Sequence, residues 1–174
     1  MTAKIWDNAF EILIESEGDF SDDKRDKGNW TSGKIGIGEL KGTKYGISAM
    51  AYPDVDIENL TLEQAKGIYK KDYWDRCKCD YLPDALSVAV FDFAVNSGVN
   101  RAIKYLQLSL GVTADGIIGN QTLGACNRLP IKDTLNTYMD KRLEYLTSLK
   151  DFKYFGNGWG KRVERVRNFC ERLI

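Results

Sequence analysis

The segment ALSVAVFDFAVN, residues 85–96, constrains the fold more than any other part of the chain. It is apolar nearly all round, so the helix it predicts, from Leu82 to Asn96, must be central and covered on every side. Asp92 and Asn96 break it at i, i+4 spacing and so on one face. Buried polar groups need partners. The pair either forms a structural network or lines a substrate cleft, and both roles can hold together.

The rest of the chain supplies the cover. Residues 4–17 read as an amphipathic helix stopping at Gly18. Thr61 and Gln64 form a capping box opening a helix that runs to about Trp74. Helices are expected over 100–110, 120–127 and 131–149, and a last one from Trp159 to Leu173 after a break at Gly156-Asn157-Gly158. Residues 18–47 differ, being rich in Gly, Asp, Lys and Thr. There the alternation of Lys34-Ile35-Gly36-Ile37-Gly38-Glu39-Leu40 predicts a short strand or hairpin. Ser48 to Tyr52 suggests one helical turn before Pro53. The expected class is mainly α with one small β element near the front.

Composition narrows the chemistry. The chain of 174 residues contains no histidine, which excludes Ser-His-Asp and Cys-His catalysis and most zinc hydrolase sites. Carboxylates are then the obvious acid–base groups. Cys77 and Cys79 stand too close together for a zinc knuckle, and all four cysteines read as reduced thiols. No metal, nucleotide or flavin signature is present, and Gly36-x-Gly38 lacks the βαβ context of a phosphate loop. Net charge is zero, though residues 1–87 hold 12 basic against 17 acidic groups and residues 88–174 hold 13 against 8. That balance gives no support to nucleic-acid binding. No apolar stretch is long enough to span a bilayer. The N-terminus lacks a signal-peptide core, so synthesis in the cytoplasm is expected.

Two glutamates stand where the first helix ends, in ILIESEGDFSDD (12–23). With Trp6 set at zero, Phe10 falls at about 40°, Leu13 at about 340° and Glu17 at about 20° for a 3.6-residue helix. Glu15 falls at about 180° on the same wheel, on the polar face with Lys4 and Glu11. Glu17 therefore continues the apolar stripe, where lost hydration raises a carboxyl pKa and suits a general acid. The alternative is that Glu17 pairs with a lysine or accepts loop N–H groups.

Glu17-Gly18-Asp19-Phe20 followed by Gly42-Thr43-Lys44-Tyr45-Gly46-Ile47 resembles the Glu-Gly-Gly-Tyr … Gly-x-Thr-x-x-Gly-Ile signature of glycoside hydrolase family 108. Asp72-Tyr73-Trp74 to Leu82-Pro83 and Phe91 to Gly98 resemble the family's next block. Asp115-Gly116-Ile117-Ile118-Gly119, Thr122-Leu123, Gly158-Trp159 and Arg162-Val163 resemble its associated peptidoglycan-binding region. The resemblance implies a lysozyme-like helical domain with a small β-hairpin near the N-terminal third. It implies a catalytic region at 1–98 and a peptidoglycan-binding region at 99–174, packed as one globular unit. Two residues depart from the pattern: Asp19 replaces the second Gly, and Phe20 keeps the Tyr ring without its hydroxyl.

The activity implied is cleavage of the β-1,4 bond between N-acetylmuramic acid and N-acetylglucosamine, with Glu17 as general acid. Asp26 is the first candidate for the second carboxylate, followed by Asp19 and Asp92. Thr43, Tyr45, Asp92 and Asn96 are candidate substrate contacts. Asp115-Gly116 is a candidate glycan or stem-peptide contact, or simply a turn. A lytic transglycosylase and a non-catalytic wall-binding or secretion-accessory protein are the alternative readings. The partner expected is peptidoglycan, reached by a monomer that acts on the cell wall or periplasm of a phage or prophage host and leaves the cytoplasm through a holin. No cofactor and no metal are expected.

Overall fold

The computed structural model describes residues 2–150 and 152–174. Among them are seven α-helices and one two-stranded antiparallel hairpin: α1 (Thr2–Ser16), β1 (Thr43–Lys44), β2 (Ile47–Ser48), α2 (Leu62–Tyr69), α3 (Asp84–Ser97), α4 (Val99–Leu110), α5 (Asn120–Arg128), α6 (Ile131–Thr147) and α7 (Phe152–Glu171). The chain divides into two compact units, residues 10–69 and residues 1–9 with 70–174. Position 98/99 lies inside the larger unit between α3 and α4, two helices that pack on each other.

In the larger unit α3 is the axis. Every residue from Ala85 to Ala94 is buried, and α4, α6 and α7 pack around the helix. Trp6 meets both Trp74 and Phe91 at 5.2 Å between ring centroids. On the far side of α3, Phe93 stacks on Tyr105 and meets Tyr138 edge-on. The four cysteines are unpaired and buried. Burial lifts the Cys126 thiol to about 11 and, as the main cause, the Cys170 thiol to about 12.

Asp92 closes this core electrostatically. Its carboxylate meets Arg142 of α6 at 2.7 Å and Arg162 of α7 at 3.1 Å. Burial alone would push Asp92 upward, but Arg142 and then Arg162 outweigh it and hold the carboxyl below its ordinary value. Arg142 is fully buried, and its approach to Asp92 is close but poorly angled. None of its three guanidinium nitrogens makes a well-directed hydrogen bond. Asp92 is therefore a clip between three helices, and the expectation that it touches substrate is corrected: at 3% exposure no sugar reaches it.

Gln107 organises the loop after α4. Its amide nitrogen donates to Asp115, to the Ile117 carbonyl and to Thr122, while its oxygen accepts from Gly116 N–H. The Asp115 carboxylate also accepts from Ile117 N–H, and these hydrogen bonds lower its pKa.

Two local expectations differ from the structure. Residues 34–38 form turns and bends rather than strands, because Gly33, Gly36 and Gly38 all take positive φ and fold the chain back, and only Leu40 pairs, in an isolated antiparallel bridge with Trp30. Ile35 and Ile37 consequently stand in solvent at 58% and 57% exposure. The break expected at Gly156–Gly158 is absent, since α7 runs through it. Packing of Val163, Val166 and Cys170 outweighs a helix penalty of about 1 kcal/mol per glycine. Nothing in the structure requires glycine at 158 or 160.

Candidate active site

The smaller unit holds the glutamate. Ser16 ends α1, and Glu17 N–H donates back to the Ile14 carbonyl at 3.1 Å as the chain bends away. Glu15 is exposed and Glu17 half-buried, which is the distinction the helical wheel draws. After the bend, Ser21 exchanges two backbone hydrogen bonds with Thr43, laying the segment beside β1. The Phe20 ring lies against Gly42, where a Cβ would meet the ring and the Ser21 carbonyl oxygen, each at 2.6 Å.

The hairpin itself is tight. Thr43 pairs with Ser48 and Lys44 with Ile47, leaving Tyr45 and Gly46 as the two-residue turn. Both take positive φ, 52° and 78°, as a type I′ connection demands. The Glu17 carboxyl sits over this turn. A Cβ on Gly46 would lie 2.8 Å from its Oε2 and 2.9 Å from its Cδ, and against the Tyr69 hydroxyl. Only glycine provides both the backbone conformation and the space.

Asn29, fully buried, holds the loop in front. Its side-chain oxygen accepts from the Thr43 hydroxyl at 2.7 Å, and its NH2 donates to the Asp23 carbonyl. Its own carbonyl accepts from Lys41 and Gly42 N–H. Asp26 is exposed and caps a 3-10 turn at 27–29, its Oδ1 accepting from Gly28 N–H at 2.8 Å. Asp19 is exposed on the segment two residues beyond Glu17. Trp30 spends its indole N–H on the Lys24 carbonyl, so it serves the loop.

The smaller unit thus brings together Glu17, Tyr45 and Gly46, with Thr43 on the adjoining strand. Asp92 and Asn96 belong to the larger unit, where Asn96 is half-buried and accepts from the Ser97 hydroxyl. Sequence reasoning missed Tyr69, Asn29 and Arg142. Arg142 carried a signal: Leu135, Tyr138, Met139, Arg142 and Leu146 share one buried face of α6, and a charge on that face needs a counter-charge inside. Tyr69 repeats with buried Ala65 at i, i+4. Asn29 sits among other polar loop residues and carries no signal.

A mainly α chain with a small hairpin turned toward a helix-end carboxylate has a lysozyme-like fold. The family model for glycosyl hydrolase 108 matches residues 10–98, slightly more than half the chain and the part holding Glu17. The solved structure of Brucella abortus SagA aligns with a TM-score of 0.81 and 32% identity, covering 97% of this chain and 94% of that one. No curated protein matches. This chain belongs to glycosyl hydrolase family 108. That membership supports glycoside hydrolysis with peptidoglycan as substrate. Among the described residues no helix is long and apolar enough to cross a membrane.

Proposed function

We propose that the protein is an N-acetylmuramidase that cleaves the β-1,4 bond between N-acetylmuramic acid and N-acetylglucosamine. The observation that carries this reading is the Glu17 carboxyl, half-buried at the end of α1 and seated over Gly46 within the matched segment. In its protonated form this carboxyl can donate to the departing glycosidic oxygen. A second carboxylate then acts as base or as nucleophile, at separations of about 6.5–9.5 Å or about 5–5.5 Å respectively. Asp26 fills that role in this proposal, exposed in the same unit with one oxygen engaged by Gly28, and Asp19 is its competitor.

Thr43 and Tyr45 contact the sugar in this reading. The Thr43 hydroxyl gives its proton to Asn29 and retains lone pairs for a donor, while Tyr45 offers a half-buried ring beside Lys44. Asn96 is a further proposed contact, at the end of α3. Residues 99–174 are proposed to hold the wall through the loop braced by Gln107, from which Ile117 projects at 66% exposure.

The test is digestion of purified peptidoglycan by the wild type and Glu17→Gln, with products read by mass spectrometry. A reducing-end muramic acid from the wild type, lost in a folded Glu17→Gln, is expected. Anhydro ends would replace hydrolysis by transglycosylation, and undiminished activity in Glu17→Gln would remove the glutamate from the chemistry.

A further inference from the structure

We propose that Tyr69 is a positioning residue for Glu17, acting through the Tyr45–Gly46 turn that its hydroxyl holds. The inference rests on Glu17 being the acid.

The turn needs holding. A bulky residue such as Tyr45 rarely adopts φ 52°, because its Cβ crowds the following carbonyl in the left-handed region. Two hydrogen bonds brace it. Tyr45 N–H donates to the Gly18 carbonyl at 3.2 Å, which ties the turn to the residue after Glu17. The Tyr69 hydroxyl donates to the Tyr45 carbonyl at 2.7 Å, which ties the turn to the end of α2.

Tyr69 is 2% exposed, so it cannot meet a polymeric substrate itself. Its ring packs on Phe10 of α1, the helix that leads into Glu17, at 6.1 Å between centroids. The hydroxyl and the Glu17 carboxyl meet the same face of Gly46, where one added methyl would strike both. A shift of the turn therefore shifts the surface on which the carboxyl rests. Tyr69 fixes the acid from behind, through packing on α1 and a hydrogen bond to the turn.

The test is a kcat and KM comparison on purified peptidoglycan, each variant normalised to its folded fraction by near-UV circular dichroism. Tyr69→Phe keeps the ring and removes the hydrogen bond. Its kcat is expected to fall about tenfold or more with KM within about twofold, because misplacing a reacting group costs turnover more than binding. Tyr138→Phe is the matched control. Tyr138 is also buried and donates to a backbone carbonyl, that of Ala102 at 3.1 Å, so its variant should lose stability and keep kcat. Gly46→Ala presses on the carboxyl and the hydroxyl together and is expected to abolish turnover in its folded fraction.

A kcat for Tyr69→Phe no lower than that of Tyr138→Phe overturns the inference, as does full turnover in folded Gly46→Ala. Should Tyr69→Phe not fold, full turnover in folded Gly46→Ala still overturns the inference. Glu17→Gln run alongside separates the two ideas. An active Glu17→Gln defeats the underlying assignment, whereas an inactive one beside a normal Tyr69→Phe defeats only the positioning role.

Discussion

Removing the Asp92 carboxylate would strand a guanidinium that has no route to water. Arg142 is 0% exposed, its counter-charge lies 2.7 Å away, and its nitrogens lack well-directed hydrogen bonds. Arg162 differs, since 16% of its side chain is exposed and it can turn outward. The cost of Asp92→Asn is therefore set by Arg142. Breaking a buried ion pair from one side costs about 3–5 kcal/mol, a large share of the roughly 5–15 kcal/mol that a domain has. At about 2–4 °C per kcal/mol for a chain of this size, the unfolding midpoint of the larger unit should fall by about 6–20 °C. Calorimetry with urea unfolding measures it. The double variant Asp92→Leu with Arg142→Met removes both charges and should return to within about 1 kcal/mol of the wild type, or exceed it. The pH dependence follows in sign: a carboxyl held below its unfolded value stabilises the fold above about pH 4, and that contribution is lost as pH falls through the lowered value. Asp92→Asn should lack this part of the acid slope. A loss below about 1 kcal/mol in Asp92→Asn would refute the reasoning, because an isolated buried guanidinium cannot be that cheap.

Thr61→Ala removes a capping box in which Thr61 Oγ1 accepts from Gln64 N–H at 3.1 Å and Gln64 Oε1 accepts from Thr61 N–H at 2.9 Å. It should cost about 1 kcal/mol, measured by urea unfolding. The buried thiols predict an alkaline weakness. Cys126 at about 11 and Cys170 at about 12 lie above their unfolded values, so the stability they contribute is complete below about pH 9 and drains away as pH rises toward those values. Cys126→Ala and Cys170→Ala should flatten the alkaline limb of a stability–pH curve, and an unchanged limb would count against the burial argument.

Much of the fold was legible from periodicity alone. The largely apolar segment 85–96 had to be central, and α3 is buried all round from Ala85 to Ala94. The helical wheel placed Glu17 inward of Glu15, and the exposures agree, although Glu17 lies one residue past the end of α1 and its seat over Gly46 is a tertiary contact. The capping box at Thr61 and Gln64 formed as read, because its partners are three residues apart. Tertiary structure decided what depends on distant partners. Asp92 was visible as a polar break, but its role was set by arginines 50 and 70 positions away. The hairpin lies at 43–48, closed by the Tyr45–Gly46 turn, and Ser21 joins it across 22 positions through a bridge to Thr43 that no local pattern encodes. Gly46 stood in the sequence as one member of the Thr-x-x-Gly-Ile motif, and only folding laid a carboxyl and a hydroxyl on its bare face. Local sequence determines which way a side chain points along its own helix. Which group it meets there is decided by long-range closure, whose partners are specified only when the whole chain is in place.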